Sequence, residues 1–199
     1  MIIRSELKDK AKQSLSGNWG LAIGTTIVCE LIIAAASNLV GVGGIILSGP
    51  MTLGLTVVFL QLIRGWQCEF ADLFKGFNNF GPNCLAGILL WLYVLLWSLF
   101  FIIPGIVKSY SYSMTYYILA DRPELSANEA ITESRKMMDG HKGDLFVLDL
   151  SFIGWGLLCV LTFGIGFLWL YPYIEATRAA FYEKLKETNS LNGEPVIQE

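Results

Sequence analysis

Long apolar runs separated by short polar patterns make up most of this chain. Trp19–Val40 spans 22 residues with one charge, Glu30. A hydrocarbon core takes roughly 20 helical residues to cross. A second run starts near Ile45, carries Pro50 in its first turns and ends at Arg64. A third, Cys84–Ile103, contains Trp91 and Trp97 and is broken by Pro104-Gly105. Ile106–Ala120 is a shorter fourth. Leu145–Phe163 is a fifth, holding Asp149. Gly164-Ile165-Gly166 reads as a tight turn, and Phe167–Phe181 is a sixth run, interrupted by Tyr171-Pro172-Tyr173 and carrying Glu175 and Arg178 near its end. The pattern predicts an all-α membrane protein of about six transmembrane helices, with Pro104-Gly105 as a tight turn between the third and fourth.

Three polar segments carry a helical rather than a membrane period. In 4–16, Leu7, Ala11 and Leu15 recur every four residues among Lys8, Lys10 and Lys12, which predicts an interfacial amphipathic helix. In 69–80, Phe70, Leu73, Phe74 and Phe77 share a face opposite Glu69, Asp72 and Lys75. In 126–139, Ser126 and Glu129 form the S-x-x-E capping box, Ala130, Ile131, Ser134, Met137 and Met138 make the apolar face, and Gly140 stands at the C-cap. Gly17 and Gly140 follow the first and third of these segments and Gly76 lies within the second, at similar spacing. They outline a threefold repeat of interfacial helix plus membrane hairpin, or three helices that each end at glycine. Gly20-x-x-x-Gly24 would permit close helix approach.

Composition agrees with a bilayer as solvent: 54% of the 199 residues are hydrophobic, 16% are charged, and the mean hydropathy is +0.53. The net charge of −3 gives no basic excess for nucleic acid. Thirteen of the 14 Lys and Arg fall in 1–18, 64–83, 121–143 and 178–199; the exception is Lys108, an outer-interface anchor. By the positive-inside rule both termini are cytoplasmic. The four cysteines have no C-x-x-C spacing and read as packing residues. A single histidine, His141, leaves no multi-histidine metal site. No cofactor is expected. The N-terminal run is too long for a signal-peptide core. Residues 1–186 read as one membrane domain and 187–199 as a disordered tail.

Charges inside spans are costly and default to functional hypotheses. The candidates are Glu30, Asp149, Glu175 and Arg178, joined by Tyr112 from the segment Ser109–Tyr117, where hydroxyls alternate with rings. One reading is a polar path for an ion, proton or ligand. The other is mutual pairing with snorkelling, since Glu175 and Arg178 stand i, i+3, together with helix packing and an aromatic belt for the tyrosines. Asp121 and Glu124 read as turn residues.

The order GPMTLG, DLFKGF, LWSLFFIIPGIVKSYSYSMTYYILAD, EAITESRKMMDGHKGDLF, LSFIGW and LTFGIGFLWLYPY, ending in FY, resembles the bacterial multipass membrane family called domain of unknown function 975. The likeness runs from about Arg4 to Leu185. More distantly, the piece PGI…Y…LA…EA…S…G is similar to the membrane domains of glycerophosphodiester phosphodiesterases. The resemblance implies a helical plasma-membrane protein and brings no catalytic residues. Two functions are expected from these readings. One is a non-enzymatic scaffold or accessory protein whose interfacial helices meet lipid or a membrane-protein partner. The alternative is a small transporter or lipid-handling protein, which requires Glu30, Tyr112, Asp149 and Glu175 to converge on one polar cavity.

Overall fold

The computed structural model describes residues 3–40, 43–100 and 102–191, and every regular element in them is helical. The elements are α1 (Arg4–Leu15), α2 (Trp19–Val40), α3 (Gly43–Arg64), a 3₁₀ segment (Phe70–Phe77), α4 (Phe80–Phe100), α5 (Ile102–Tyr112), α6 (Thr115–Asp121), α7 (Ala127–Met137), α8 (Lys142–Leu150), α9 (Ile153–Leu161) and α10 (Phe167–Leu191). Among the described residues, four stretches are long and apolar enough to cross a membrane: Trp19–Asn38, Gly43–Arg64, Phe80–Leu99 and Lys142–Leu161. The chain is a multi-pass membrane protein.

These four stretches are not equivalent. In the apolar window of α3, 61% of residues are buried within the protein, against 17–22% in the other three. Leu31, Leu99, Leu157, Val160 and Leu161 point outward, which suits side chains whose solvent is hydrocarbon. The core therefore forms around α3, and glycine explains how closely its neighbours approach. A Cβ on Gly54 would collide with the Leu73 carbonyl, and one on Gly76 with the Pro50 carbonyl. A Cβ on Gly49 would strike the Asn83 carbonyl, and one on Gly87 would come 2.9 Å from the Gly49 Cα. Backbone thus lies against backbone on two sides of α3. Asn83 Nδ2 donates to the Gly76 carbonyl at 2.6 Å and ties the 3₁₀ segment to α4. Gly20-x-x-x-Gly24 plays no such part: a Cβ on Gly20 meets nothing, and one on Gly24 only Phe70 at 3.9 Å.

The capped helix forms as its sequence predicts. Ser126 Oγ accepts from the Glu129 N–H, and the Ser126 N–H donates to the Glu129 carboxylate. Ala130, Ile131, Ser134, Met137 and Met138 are all buried. The helix stops at Met137, slightly before the expected Asp139, and Gly140 takes φ +78° in the left-handed region beyond it. In α1 the expected Leu7, Ala11 and Leu15 are buried. These faces are spent inside the molecule: α1 lies on α10 and α3, and α7 on α4, α5 and α6. They are not left free for lipid.

Other expectations change. The 69–80 segment is a 3₁₀ turn over Phe70–Phe77, and its aromatic face splits. Leu73 is buried against α3, while Phe70 and Phe74 stay exposed. A 3₁₀ helix brings i and i+3 together rather than i and i+4, and the pair it buries on α3 is Leu73 and Gly76. Pro104-Gly105 is not the turn itself. It lies in the first turn of α5, where proline has no helical N–H bond to lose, and Gly105 packs closely on Ser98 of α4. The expected fourth span breaks into α5 and α6. There the buried Ser134 of α7 accepts from the Met114 N–H and donates to the Ser111 carbonyl, at 3.2 and 2.9 Å. A side chain from another helix supplies the bonds that the break removes. The fifth span divides at Ser151-Phe152. The turn at Gly164 forms, with φ +86°. Pro172 does not interrupt the last run, because α10 continues through it to Leu191. The expected disordered tail is therefore helical over 187–191, while 192–199 lie outside the described residues, as do Gly41 and Val42 of the glycine-rich link.

Gly54→Ala is expected to lose about 1–3 kcal/mol through overpacking against immovable backbone. Gly20→Ala, with open space at its Cβ, should be neutral or slightly stabilising. Thermal unfolding of both variants in detergent checks the contrast.

Candidate functional site

The five polar residues singled out inside the spans are brought together. Glu30 from α2, Tyr112 from α5, Asp149 from α8, and Glu175 and Arg178 from α10 line one cavity of about 540 Å³. Thr52 and Thr56 of α3, Leu90 and Val94 of α4, and Tyr116 and Tyr117 of α6 join them, so seven helices contribute. Ser109, Tyr112, Ser113, Tyr116 and Tyr117 are spaced i, i+3, i+4, i+7 and i+8, the period of one helix face. All five line the cavity, on either side of the break between α5 and α6.

Arg178 organises the charges. Its Nη2 donates to Asp149 Oδ2 at 2.9 Å and its Nε to Oδ1 at 3.4 Å, a two-pronged contact. Nη1 stands 3.5 Å from Glu175 Oε1, one turn back on the same helix. The Tyr110 hydroxyl donates to Asp149 Oδ2 at 3.2 Å. Asp149 is thus held by a cation and a phenol. Glu30 lines the cavity from α2 as an exposed residue, with no ion-pair partner among the described residues. Three carboxylates face one guanidinium.

Three aliphatic hydroxyls in the wall are oriented as acceptors. Thr56 Oγ1 donates to the Thr52 carbonyl, Ser109 Oγ to Ile106 and Ser113 Oγ to Tyr110, at 2.7–2.8 Å. Each spends its proton on its own chain, which leaves oxygen lone pairs for the cavity. No group of three or more His, Cys, Asp or Glu among the described residues is placed to hold a metal ion. The cysteines are all free thiols, and Cys29 of the cavity wall is buried. Lys108 stands apart, its ammonium 4.8 Å from the Trp97 ring centre, in keeping with an interfacial anchor.

A second charged cluster was not legible in the sequence. Arg64 Nη2, at the end of α3, bonds Asp121 Oδ1 and Glu183 Oε1, both at 2.7 Å. Lys186 Nζ reaches Asp121 Oδ2 at 2.8 Å, and the Tyr182 hydroxyl donates to the same oxygen at 2.9 Å. Asp121 is thus no simple turn residue. It knots the ends of α3, α6 and α10. Two cations balance two anions, and all four side chains are at most 19% exposed. The only trace in the sequence was Tyr182, Glu183 and Lys186 within one helical turn, in a region expected to lie at or beyond the end of the last span. A polar recess of about 350 Å³ beside the cluster is lined by Arg64, Lys75 and three asparagines. Its cations are already neutralised, Lys75 by Asp72 at 2.7 Å.

The fold and the cavity define a helical multi-pass membrane protein with a polar interior. Comparison with known families gives a family. The family described as "Protein of unknown function (DUF975)" matches residues 1–111 and 101–189, and the chain belongs to it. The more distant likeness to phosphodiesterase membrane domains finds no support in the comparisons. No curated protein and no solved structure matches.

Burial works to raise the Asp121 carboxyl, but the Lys186 and Arg64 bonds outweigh it and hold the group below its ordinary 3.8. Its contribution to stability is therefore complete above the ordinary carboxylate range and is lost as pH falls through the lowered value. Asp121→Asn should cost roughly 3 kcal/mol at pH 7, since it leaves a half-buried Arg64 and Lys186 short of charge. The difference in unfolding free energy between the two proteins should shrink below about pH 4, as the wild-type carboxylate is itself protonated. Denaturation in detergent at a series of pH values measures it.

Proposed function

We propose that this protein is a non-enzymatic binding and carrier protein for a small polar solute in the bacterial plasma membrane. The observation that carries this reading is the convergence of Glu30, Tyr112, Asp149, Glu175 and Arg178 on one cavity. Ionisable groups in a membrane interior are expensive and usually face a bundle interior or a water-filled path. A volume of about 540 Å³ is the size of a small-molecule site. The accessory-scaffold reading keeps one of its three segments: the apolar faces of α1 and α7 are covered by the protein's own helices, while Phe70 and Phe74 of the 3₁₀ segment stay exposed.

The topology that goes with this reading has six crossings and cytoplasmic termini. α5–α6 and α10 join the four long stretches as spans. The Lys and Arg distribution supports it. So does the ion cluster, which joins Arg64, Asp121 and Lys186, three residues that six crossings put on the same side. The element order also supports a threefold repeat of polar helix plus hairpin. Gly17 and Gly140 share a left-handed backbone, at φ +88° and +78°, whereas the middle glycine, Gly76, does not.

The test is solute uptake into vesicles reconstituted with the full chain, using a panel of small cationic, neutral and anionic compounds. At least one compound should enter well above the rate in protein-free vesicles. Ser109→Trp, which fills the cavity from its α5 wall, should reduce that uptake about tenfold with an unchanged gel-filtration profile. Uptake indistinguishable from protein-free vesicles for every compound would count against the carrier reading.

A further inference from the structure

We infer that the cavity takes an organic cation, a small ammonium or guanidinium compound, and that Glu30 is the carboxylate that recognises it. This rests on the cavity reading above and names its substrate class. The charge balance comes first. Arg178 is engaged by Asp149 through two nitrogens and lies beside Glu175, so the one cation in the wall is already matched. Glu30 remains, without an ion-pair partner among the described residues. Glu30 is exposed on the protein but lies within the apolar span Trp19–Asn38, where a carboxylate is costly unless an opposite charge joins it. An incoming cation supplies that charge, whereas an anion would add repulsion to a site already rich in carboxylate.

The neutral lining points the same way. Thr56, Ser109 and Ser113 give their protons to backbone carbonyls and present lone pairs. A ligand bringing N–H donors satisfies them; a carboxylate or phosphate finds donors only in the phenol O–H groups and in an Arg178 already held by Asp149. Aromatic rings from Tyr112, Tyr116 and Tyr171 line the same space, and ring faces attract ammonium groups with several kinds of substituent. A bare metal ion fits less well: no cluster of three metal-binding side chains exists among the described residues, and the volume of about 540 Å³ leaves room for carbon as well as charge. The balanced Arg64–Asp121–Glu183–Lys186 cluster provides the contrast. There the charges cancel within the protein, and no counter-ion is called for.

Isothermal titration of the purified full chain in neutral detergent tests the assignment. The probes are choline, putrescine and methylguanidinium, set against the neutral 1,4-butanediol and the anionic succinate. At least one cation should bind at least tenfold more tightly than either control. Glu30→Gln should weaken that binding at least tenfold while leaving the melting temperature unchanged or raised, since it removes an unmatched charge. Glu187→Gln, on the exposed part of α10, should bind as wild type does. Preferential binding of succinate or butanediol would overturn the cation assignment and leave the cavity reading standing. Cation binding unaltered in Glu30→Gln would overturn the role of Glu30. Absence of heat with every probe, together with no uptake of any panel compound, would overturn both readings.

Discussion

The structure depends on one contact, the laying of the 3₁₀ segment against α3 backbone to backbone. Gly54 and Gly76 make it possible, since a side-chain carbon at either position would enter a carbonyl of the opposite segment. Within a membrane, apolar side chains gain little by leaving hydrocarbon for one another, so close packing of small residues carries more of the association. Gly49 and Gly87 bring α4 to α3 in the same manner. With those distances set, α3 becomes the buried axis of the molecule. Its middle supplies Thr52 and Thr56 to the cavity, and its end supplies Arg64 to the ion cluster.

The two charged groups on this frame differ in kind. At the ends of α3, α6 and α10, equal numbers of cations and anions meet, and a tyrosine hydroxyl completes the set. That arrangement braces three helices and asks for nothing from outside. In the cavity, Arg178 is matched by its neighbours and Glu30 is left over. A brace is complete in itself, whereas a binding site is left incomplete until its ligand arrives. The distinction rests on the count of charges within reach and on where the hydroxyl protons point, rather than on the identity of any single residue.

One helix face of the tyrosine- and serine-rich segment lines the cavity across the break between α5 and α6. Ser134 makes that break affordable by bonding Met114 and Ser111. The capping box that starts α7 was plain in the sequence, because capping is a matter of residues three apart. The use of Ser134 was not, because its partners lie 20 and 23 residues away. Its place on an otherwise apolar face was the sole hint.

By itself the sequence determined the membrane class, the helical content, the amphipathic segments 4–16 and 126–139, and the identity of the polar residues within spans. Each of these follows from hydrophobic period, capping chemistry or the expense of charge in hydrocarbon, all readable over a few turns of chain. Only the tertiary structure decided that Glu30, Tyr112, Asp149, Glu175 and Arg178 share one cavity, that Asp121 is a knot rather than a turn, and that Gly54 rather than Gly20 is the close contact. Which helix faces meet depends on packing among six or more helices at once. In a chain whose outward and inward faces are both apolar, the period of hydrophobicity no longer distinguishes them.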